Sequence, residues 1–373
     1  MKVLIFINSL GAGGAERSMV ELARFLKREN VIVKFVCFER REVGLEKEVM
    51  AMGVETLYLD RAKKGFINQV NFALTCIRKE KPDIIHSVLA KSNLILRASR
   101  LFVREGVLIQ SLVNTPYSLE RKKDGRLSWQ KFWIMKQIDK YSARLTKNIF
   151  YHSITNEVLK HYRPLFKITE NYQIVYRGRN PNTFLHKSKS PNFTIINSGR
   201  QEFAKGQIDI LKALVYIEKK YGVKDIKLEI LGREGSYSKV LKDFISQNEL
   251  EERVFIYGFV NNVEERLAIS HVFIFPSYYE GLGGALVEAF AAQLPCICSD
   301  LPVLREVVGD NSGALFCAPG DYKCLAEKIL KLYNDKNLRN SLSKYSYARF
   351  KEVFQLDEIN QQMLDMYQSL RKA

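Results

Sequence analysis

Short apolar runs alternate with stretches of helical periodicity along the whole chain. The first series comprises Val3–Ile7, Val31–Phe38, Ile84–Ile85 with its flanks, Val107–Val113 and Asn148–Tyr151. The alternation restarts at Phe193–Asn197 and continues through Lys227–Leu231, Val254–Tyr257, Val272–Phe275 and Cys296–Ser299. Brief, nearly continuous apolar runs separated by helices predict parallel strands buried on both faces. Two such series predict an α/β protein with two doubly wound parallel sheets. Between them, Arg177 to Asn192 is polar, carries Pro181 and Pro191 and has no periodicity, so it reads as the linker. The predicted domains are therefore residues 1–180 and 181–373, with a last helical stretch at about Gln355–Leu370.

The segment Phe273–Glu306 carries the most chemistry. It reads as a strand, a glycine loop (Gly281, Leu282, Gly283, Gly284), a helix from Ala285 to Ala292, and a second strand. Glycines let the backbone approach a ligand, and the helix N-terminus that follows offers free N–H groups and a positive dipole end to a phosphate. Glu280 and Glu288 stand eight residues apart on either side of this turn. Glu288, in the first turn, is placed to accept hydrogen bonds from a vicinal diol such as a ribose. Glu280 is placed to meet whatever is attached beyond the phosphates. One glutamate alone would be an ordinary helix-start residue; the pair around a glycine loop is more specific.

Composition narrows the class. The chain has 373 residues, 46% of them hydrophobic, enough for two cores. No apolar run approaches the roughly 18 residues of a membrane span, and the opening VLIFI reads as a first strand rather than a signal peptide. Six cysteines without zinc spacing read as reduced thiols of a cytoplasmic protein, Cys296 and Cys298 among them as packing residues.

Charge is segregated. Residues 1–180 hold 33 Lys and Arg against 17 Asp and Glu, while residues 181–373 hold 25 against 24. The densest part, Arg121–Lys147, has nine basic and two acidic residues and both tryptophans, Trp129 and Trp133. Ile134, Ile138, Tyr141 and Leu145 recur at helical spacing, with Lys136, Lys140, Arg144 and Lys147 on a different face. A basic amphipathic helix with aromatic residues reads as a surface for anionic membrane; the competing reading is a core face backed by solvated lysines. Nucleic acid is disfavoured, since the basic segment has no recognised binding motif.

Three further elements bear on function. Gly11-Ala12-Gly13-Gly14 follows the first strand and opens a helix as a dinucleotide turn would. Arg17 and Ser18 stand where a third glycine is needed, which argues against a nicotinamide cofactor. Arg200 and Lys205 flank a loop after the strand at Ile195–Ser198, where two cations can neutralise a leaving pyrophosphate without a metal. No ligand set for a metal is evident.

These motifs, in this order, resemble the retaining glycosyltransferases of family 4, of GT-B architecture. Phe273–Glu306 resembles their E-x7-E signature, Phe6–Leu26 their glycine-rich first turn and Ile196–Gly206 their G-R-x4-K-G element. The resemblance implies two Rossmann-like domains facing a deep cleft, the first for the acceptor and the second for the donor, with the terminal helix returning to the first. It implies that Gly13 and Gly14 line the cleft, that Arg200 and Lys205 clamp the diphosphate, and that Glu280 holds sugar hydroxyls. It also places Gly281, Leu282, Gly283, Gly284, Ala285 and Glu288 at the donor, with Phe259 and Val260 near its base. Many relatives have a histidine after the fifth strand of the first domain; here Asn114 stands near the expected position, and His86 and His152 are the other candidates for the sugar or acceptor. Tyr176-Arg177-Gly178-Arg179 stands where relatives have an asparagine-glycine turn, and adds cations able to meet an anionic group.

The implied reaction is retaining transfer of a hexosyl or N-acetylhexosaminyl unit from a nucleotide diphosphate-sugar, UDP first and GDP second, needing neither metal nor cofactor. The basic first domain suggests a membrane-borne or lipid-linked acceptor, as in bacterial polysaccharide or lipopolysaccharide assembly at the inner face of the cell membrane. The alternatives are a UDP-sugar epimerase of similar fold and a catalytically silent sugar-nucleotide or polysaccharide-binding module.

Overall fold

The computed structural model describes residues 1–372 except 12, 42, 61, 63–64, 123–127, 182–187 and 261. Part of the anticipated linker, 182–187, thus lies outside the described residues. The chain divides into two compact units. One comprises Met1–Tyr117, Leu127–Gly178 and Asp357–Ala373, and the other Ser118–Arg126 and Arg179–Leu356.

The first unit is built on seven parallel strands: β1 (Lys2–Ile7), β2 (Ile32–Cys37), β3 (Glu55–Tyr58), β4 (Ile84–Val88), β5 (Val107–Leu112), β6 (Ile149–Ser153) and β7 (Tyr172–Ile174), in the order β3-β2-β1-β4-β5-β6-β7. The strand order reverses between β1 and β4, which pair in parallel from Val3↔Ile84 to Phe6↔Ser87. The five apolar runs of the sequence are five of these strands. The two without such a run, β3 and β7, are the edges. Glu55 and the half-buried residues that follow it deprive β3 of an apolar run, and β7 spans only three half-buried residues. The terminal helix, Leu356–Lys372, contributes Ile359, Met363, Leu364, Met366 and Tyr367 to the core formed by Val3, Ile5 and Ile7 of β1 and the helix Gly14–Arg28. Each fully buried apolar side chain of that size contributes about 1.5–3 kcal/mol.

The second unit has six parallel strands: β8 (Thr194–Ser198), β9 (Lys227–Leu231), β10 (Val254–Gly258), β11 (Val272–Phe275), β12 (Cys296–Ser299) and β13 (Leu315–Cys317). Their order is β10-β9-β8-β11-β12-β13, so the reversal falls between β8 and β11. In doubly wound sheets, ligands bind beyond the carboxyl ends of the strands at this reversal. The loops leaving β8 and β11 carry Arg200 and Lys205, and Glu280, respectively.

The cysteine expectation needs correction. Cys317 and Cys324 are disulfide-paired, with Cα atoms 5.9 Å apart. A tight loop turns the end of β13 into the helix Tyr322–Asn334 and brings together two thiols seven residues apart. Cys37, Cys76, Cys296 and Cys298 are free and buried, the last two within β12. Cysteine usage therefore no longer argues for a reducing compartment.

Candidate active site

Two loops of the second unit are pressed together at the β8–β11 reversal. Asn197, at the end of β8, donates through Nδ2 to the Ile274 carbonyl of β11 at 2.8 Å. Beyond β8, the chain makes a short 3-10 turn, Phe203–Lys205, and enters the helix Gln207–Tyr221 through Gly206. Gly206 has φ +61°, and a Cβ there would fall on the Pro276 carbonyl of the other loop. Only glycine permits this approach. Tyr278 completes the contact: its N–H donates to the Ala204 carbonyl, its ring stacks on Phe203 at 4.7 Å, and its hydroxyl donates to Asp209 Oδ2, both hydrogen bonds being 2.9 Å.

This packing sets the charged groups. Lys205 Nζ meets Glu280 Oε1 at 2.5 Å, and the same oxygen accepts from Ser277 Oγ at 2.9 Å. The ammonium also stands 5.6 Å over the Phe275 ring. Arg200 reaches further out, with its side chain 53% exposed and 3.9 Å from Glu202. The two candidate cations thus differ: Lys205 is fixed by the Glu280 carboxylate, and Arg200 faces solvent.

After β11, Gly283 takes φ +87° with Phe275 and Leu304 against it, and the helix Gly284–Ala291 begins, one residue earlier than the sequence suggests. Leu286, Val287 and Phe290 bury one side of that helix, leaving Glu288 half-buried on another. Leu282 is buried, so its side chain is not presented to a ligand. Ala285 is half-buried beside Gly284 in the first turn, while Gly281 is buried. Glu288 Oε1 accepts from Arg179 Nε at 2.8 Å. No local sequence signal points to this pair, whose members lie 109 residues apart. Phe259 is 64% exposed just past the end of β10, with Val260 half-buried next to it.

In the first unit, the Gly13–Gly14 turn follows β1 at the β1–β4 reversal and starts the helix Gly14–Arg28. Gly13 abuts the Glu16 carboxylate, while Gly14 has open space around it.

His86 and His152 require correction: both lie in strands and are buried, not presented to a sugar. Tyr367 O–H donates to His86 Nδ1 (2.5 Å), His86 Nε2–H to Ser111 Oγ (2.6 Å), Ser111 O–H to His152 Nδ1 (2.8 Å), and His152 Nε2–H to the Val175 carbonyl (2.9 Å). Because the carbonyl only accepts, the direction of the whole chain follows for neutral rings. Burial holds both imidazoles neutral, pulling His152 down to about 4 and His86 well below its usual value. They tie β4, β5 and β6 to the terminal helix. Asn114, just past β5, is half-buried, so of the three sugar candidates it alone retains access at a strand end.

The helix Trp129–Leu145 is built inside out. Its buried positions are Asp139 and Ala143, and Asp139 pairs with the buried Arg97. Trp133 (54%), Ile134, Ile138, Tyr141 and Leu145 (78%) are exposed, as is Trp129. The core reading of these residues is therefore wrong, because the helix is anchored by a polar pair. Lys136 and Lys140 are half-buried, Lys140 standing 5.1 Å over Tyr141. Arg144 instead braces the neighbouring helix Asn156–Phe166, since its Nε and Nη2 donate to the Leu165 and Pro164 carbonyls, both at 2.9 Å.

Comparison with known proteins converges on one class. Residues 12–183 match the Glycosyltransferase Family 4 domain, and residues 180–349 match the Glycosyl transferases group 1 domain. The capsular polysaccharide biosynthesis glycosyltransferase CapH of Staphylococcus aureus is 26% identical, with 99% of each chain covered. A Campylobacter jejuni alpha-1,4-N-acetyl-D-galactosaminyltransferase, named for an acceptor bearing PP-undecaprenol, is 24% identical over the full length of both. In fold, HepE of Anabaena in complex with UDP and glucose superposes with a TM-score of 0.83 at 18% identity, covering 99% of this chain and all of that one.

Proposed function

The chain belongs to the family 4 glycosyltransferases, of GT-B fold, and from that premise we propose that it transfers a sugar, with retention, from a nucleotide diphosphate-sugar to a hydroxyl of a lipid-linked glycan. The observation that carries this reading is the Lys205–Glu280 pair held at the β8–β11 reversal, with Arg200 on the same loop as Lys205. Arg200 and Lys205 stabilise the charge that grows on the departing diphosphate, which gives electrostatic catalysis without a metal. Glu280 accepts hydrogen bonds from the sugar hydroxyls, the glycine-rich turn Gly281–Gly284 brings helix N–H groups to the phosphates, and Glu288 receives the ribose. The leaving phosphate oxygen takes the proton of the acceptor hydroxyl, which attacks from the same face. UDP is the favoured nucleotide, in line with the UDP complex of the Anabaena neighbour, with GDP second. The unit moved is a hexose or N-acetylhexosamine. The names of the Staphylococcus and Campylobacter relatives, a capsular polysaccharide glycosyltransferase and a transferase named for a PP-undecaprenol-linked acceptor, support a role in bacterial cell-surface polysaccharide assembly, and the location we infer for it is the cytoplasmic face of the membrane. An epimerase would need an acid and a base at the sugar, and His86 and His152 are sealed in the core.

A panel of nucleotide sugars, monitored by nucleotide release with and without a bacterial lipid extract, tests the reaction. Release that requires the extract is expected; an isomerised sugar without release would replace transfer with epimerisation.

The exposed stripe of the helix Trp129–Leu145 supports docking on anionic membrane; among the described residues no helix is long and apolar enough to cross one. The protein is expected to co-sediment with phosphatidylglycerol vesicles, far less with phosphatidylcholine, and to be released by salt. Each basic residue near the surface adds about 1 kcal/mol, so Lys136→Glu with Lys140→Glu should weaken vesicle binding at least about thirtyfold. Arg144 is left intact because of its bonds to the neighbouring helix. Equal binding to both lipids, or to neither, removes the membrane reading.

A further inference from the structure

Arg179 reaches the candidate donor site from a rigid base. Its N–H donates to the Phe354 carbonyl at 2.9 Å, and its own carbonyl accepts from Leu356 N–H at 3.0 Å, bridging Gln355 in parallel. The side chain runs from there to the start of the helix Gly284–Ala291. Nε donates to Glu288 Oε1 at 2.8 Å, and Nη2 lies over Gly284, where any Cβ would collide with it. The pair is largely shielded, with side-chain exposures of 18% for Arg179 and 26% for Glu288.

This placement is electrostatically unusual. A helix N-terminus favours anions, yet here a guanidinium sits against it. Glu288, one turn into the helix, offsets the guanidinium charge with a single carboxylate. The helix end adds partial positive charge of its own, so the first turn suits an anion. A guanidinium has five N–H donors in a fixed fork, and here Nε engages Glu288 while Nη2 stands over the first turn.

We propose that Arg179 is a specificity-determining residue for the nucleotide: it contacts the diphosphate through its Nη groups while Glu288, holding its Nε, bonds the ribose diol. One coupled pair then reads sugar hydroxyls and phosphate together, so that the site discriminates a nucleoside diphosphate from a nucleoside. This rests on the donor-site reading above and adds a third cation to Arg200 and Lys205, drawn from the turn that departs from the family pattern.

The test is calorimetric titration of the full chain with UDP and with uridine, for the wild type, Arg179→Met and Arg179→Lys. A charge-assisted hydrogen bond lost with Arg179→Met should weaken UDP roughly ten- to a hundredfold and leave uridine within about twofold of the wild type. Arg179→Lys should recover part of the loss, since it keeps the charge but not the fork. Affinity is read from the folded fraction, so a partly misfolded variant still reports, and the lysine variant covers a failure of the methionine one. Unchanged UDP binding in Arg179→Met overturns the proposal. So does equal weakening of UDP and uridine, which would make Arg179 only a support for Glu288. A wild type that binds neither UDP nor GDP sinks the donor-site reading itself, and does so before any variant is compared. A wild type that prefers GDP moves the same comparison to GDP and guanosine.

Discussion

Lys205→Ala lowers turnover by roughly a hundred- to a thousandfold while weakening donor binding much less, and Arg200→Ala does the same. The magnitude is that of one preorganised electrostatic partner removed from a transition state, about 2.7–4 kcal/mol. The geometry adds a sharper expectation. Lys205 and Glu280 are bonded to each other at 2.5 Å, so removing one leaves the other out of place. Glu280→Gln combined with Lys205→Ala should therefore cost clearly less than the product of the two single losses, as contacting residues do in a double-mutant cycle. Arg200, exposed and only loosely near Glu202, should combine with Glu280→Gln almost additively. Steady-state kinetics on the three single and two double variants measure this. Near-native turnover in both alanine variants would falsify the clamp, and full additivity of Lys205 with Glu280 would remove their coupling.

Arg97→Ala destabilises the first unit by roughly 3–5 kcal/mol, the usual consequence of breaking a buried ion pair by removing one partner. Arg97 is 2% exposed. Its Nε donates to Gln110 Oε1 at 2.8 Å, and its Nη1 donates to the Asp139 carbonyl at 3.1 Å and to Ser142 Oγ at 3.2 Å, besides the Asp139 carboxylate. The guanidinium also covers the Phe166 ring at 4.6 Å. Without it, the Asp139 carboxylate keeps the Tyr117 hydroxyl, 2.9 Å away, but loses its cation. For a unit of this size the thermal midpoint should fall by about 6–20 °C. Both tryptophans lie on the helix that Asp139 anchors, so their emission reports the same event. Arg97→Met with Asp139→Leu should recover much of the loss, because an apolar pair leaves no buried charge. Unfolding of Arg97→Ala within about 1 kcal/mol of the wild type would mean that the pair does not anchor the helix.

The sequence alone determined the class of the fold and most of the chemistry. Continuous apolar runs are legible because a strand buried on both faces is mostly apolar, and ten of the thirteen strands among the described residues announced themselves in this way. The three that did not, β3, β7 and β13, are sheet edges, where half-exposure removes the pattern. The glycine turns and the glutamates around them were legible for a similar reason, since a left-handed φ or a close backbone approach restricts the residue type locally. What depends on partners distant in the chain was decided by the tertiary structure. Histidines in polar-looking strand ends became a core relay only when Tyr367 arrived beside them. Cys317 and Cys324 were paired by a loop whose path spacing does not reveal. The isoleucine stripe at helical spacing was consistent with either core or surface, because periodicity gives a face but not its direction. Asp139, a lone acidic residue in a basic helix, set that direction by finding Arg97. Arg179 met Glu288 across 109 residues for the same physical reason: buried charge seeks its opposite in space, and the sequence records only order along the chain.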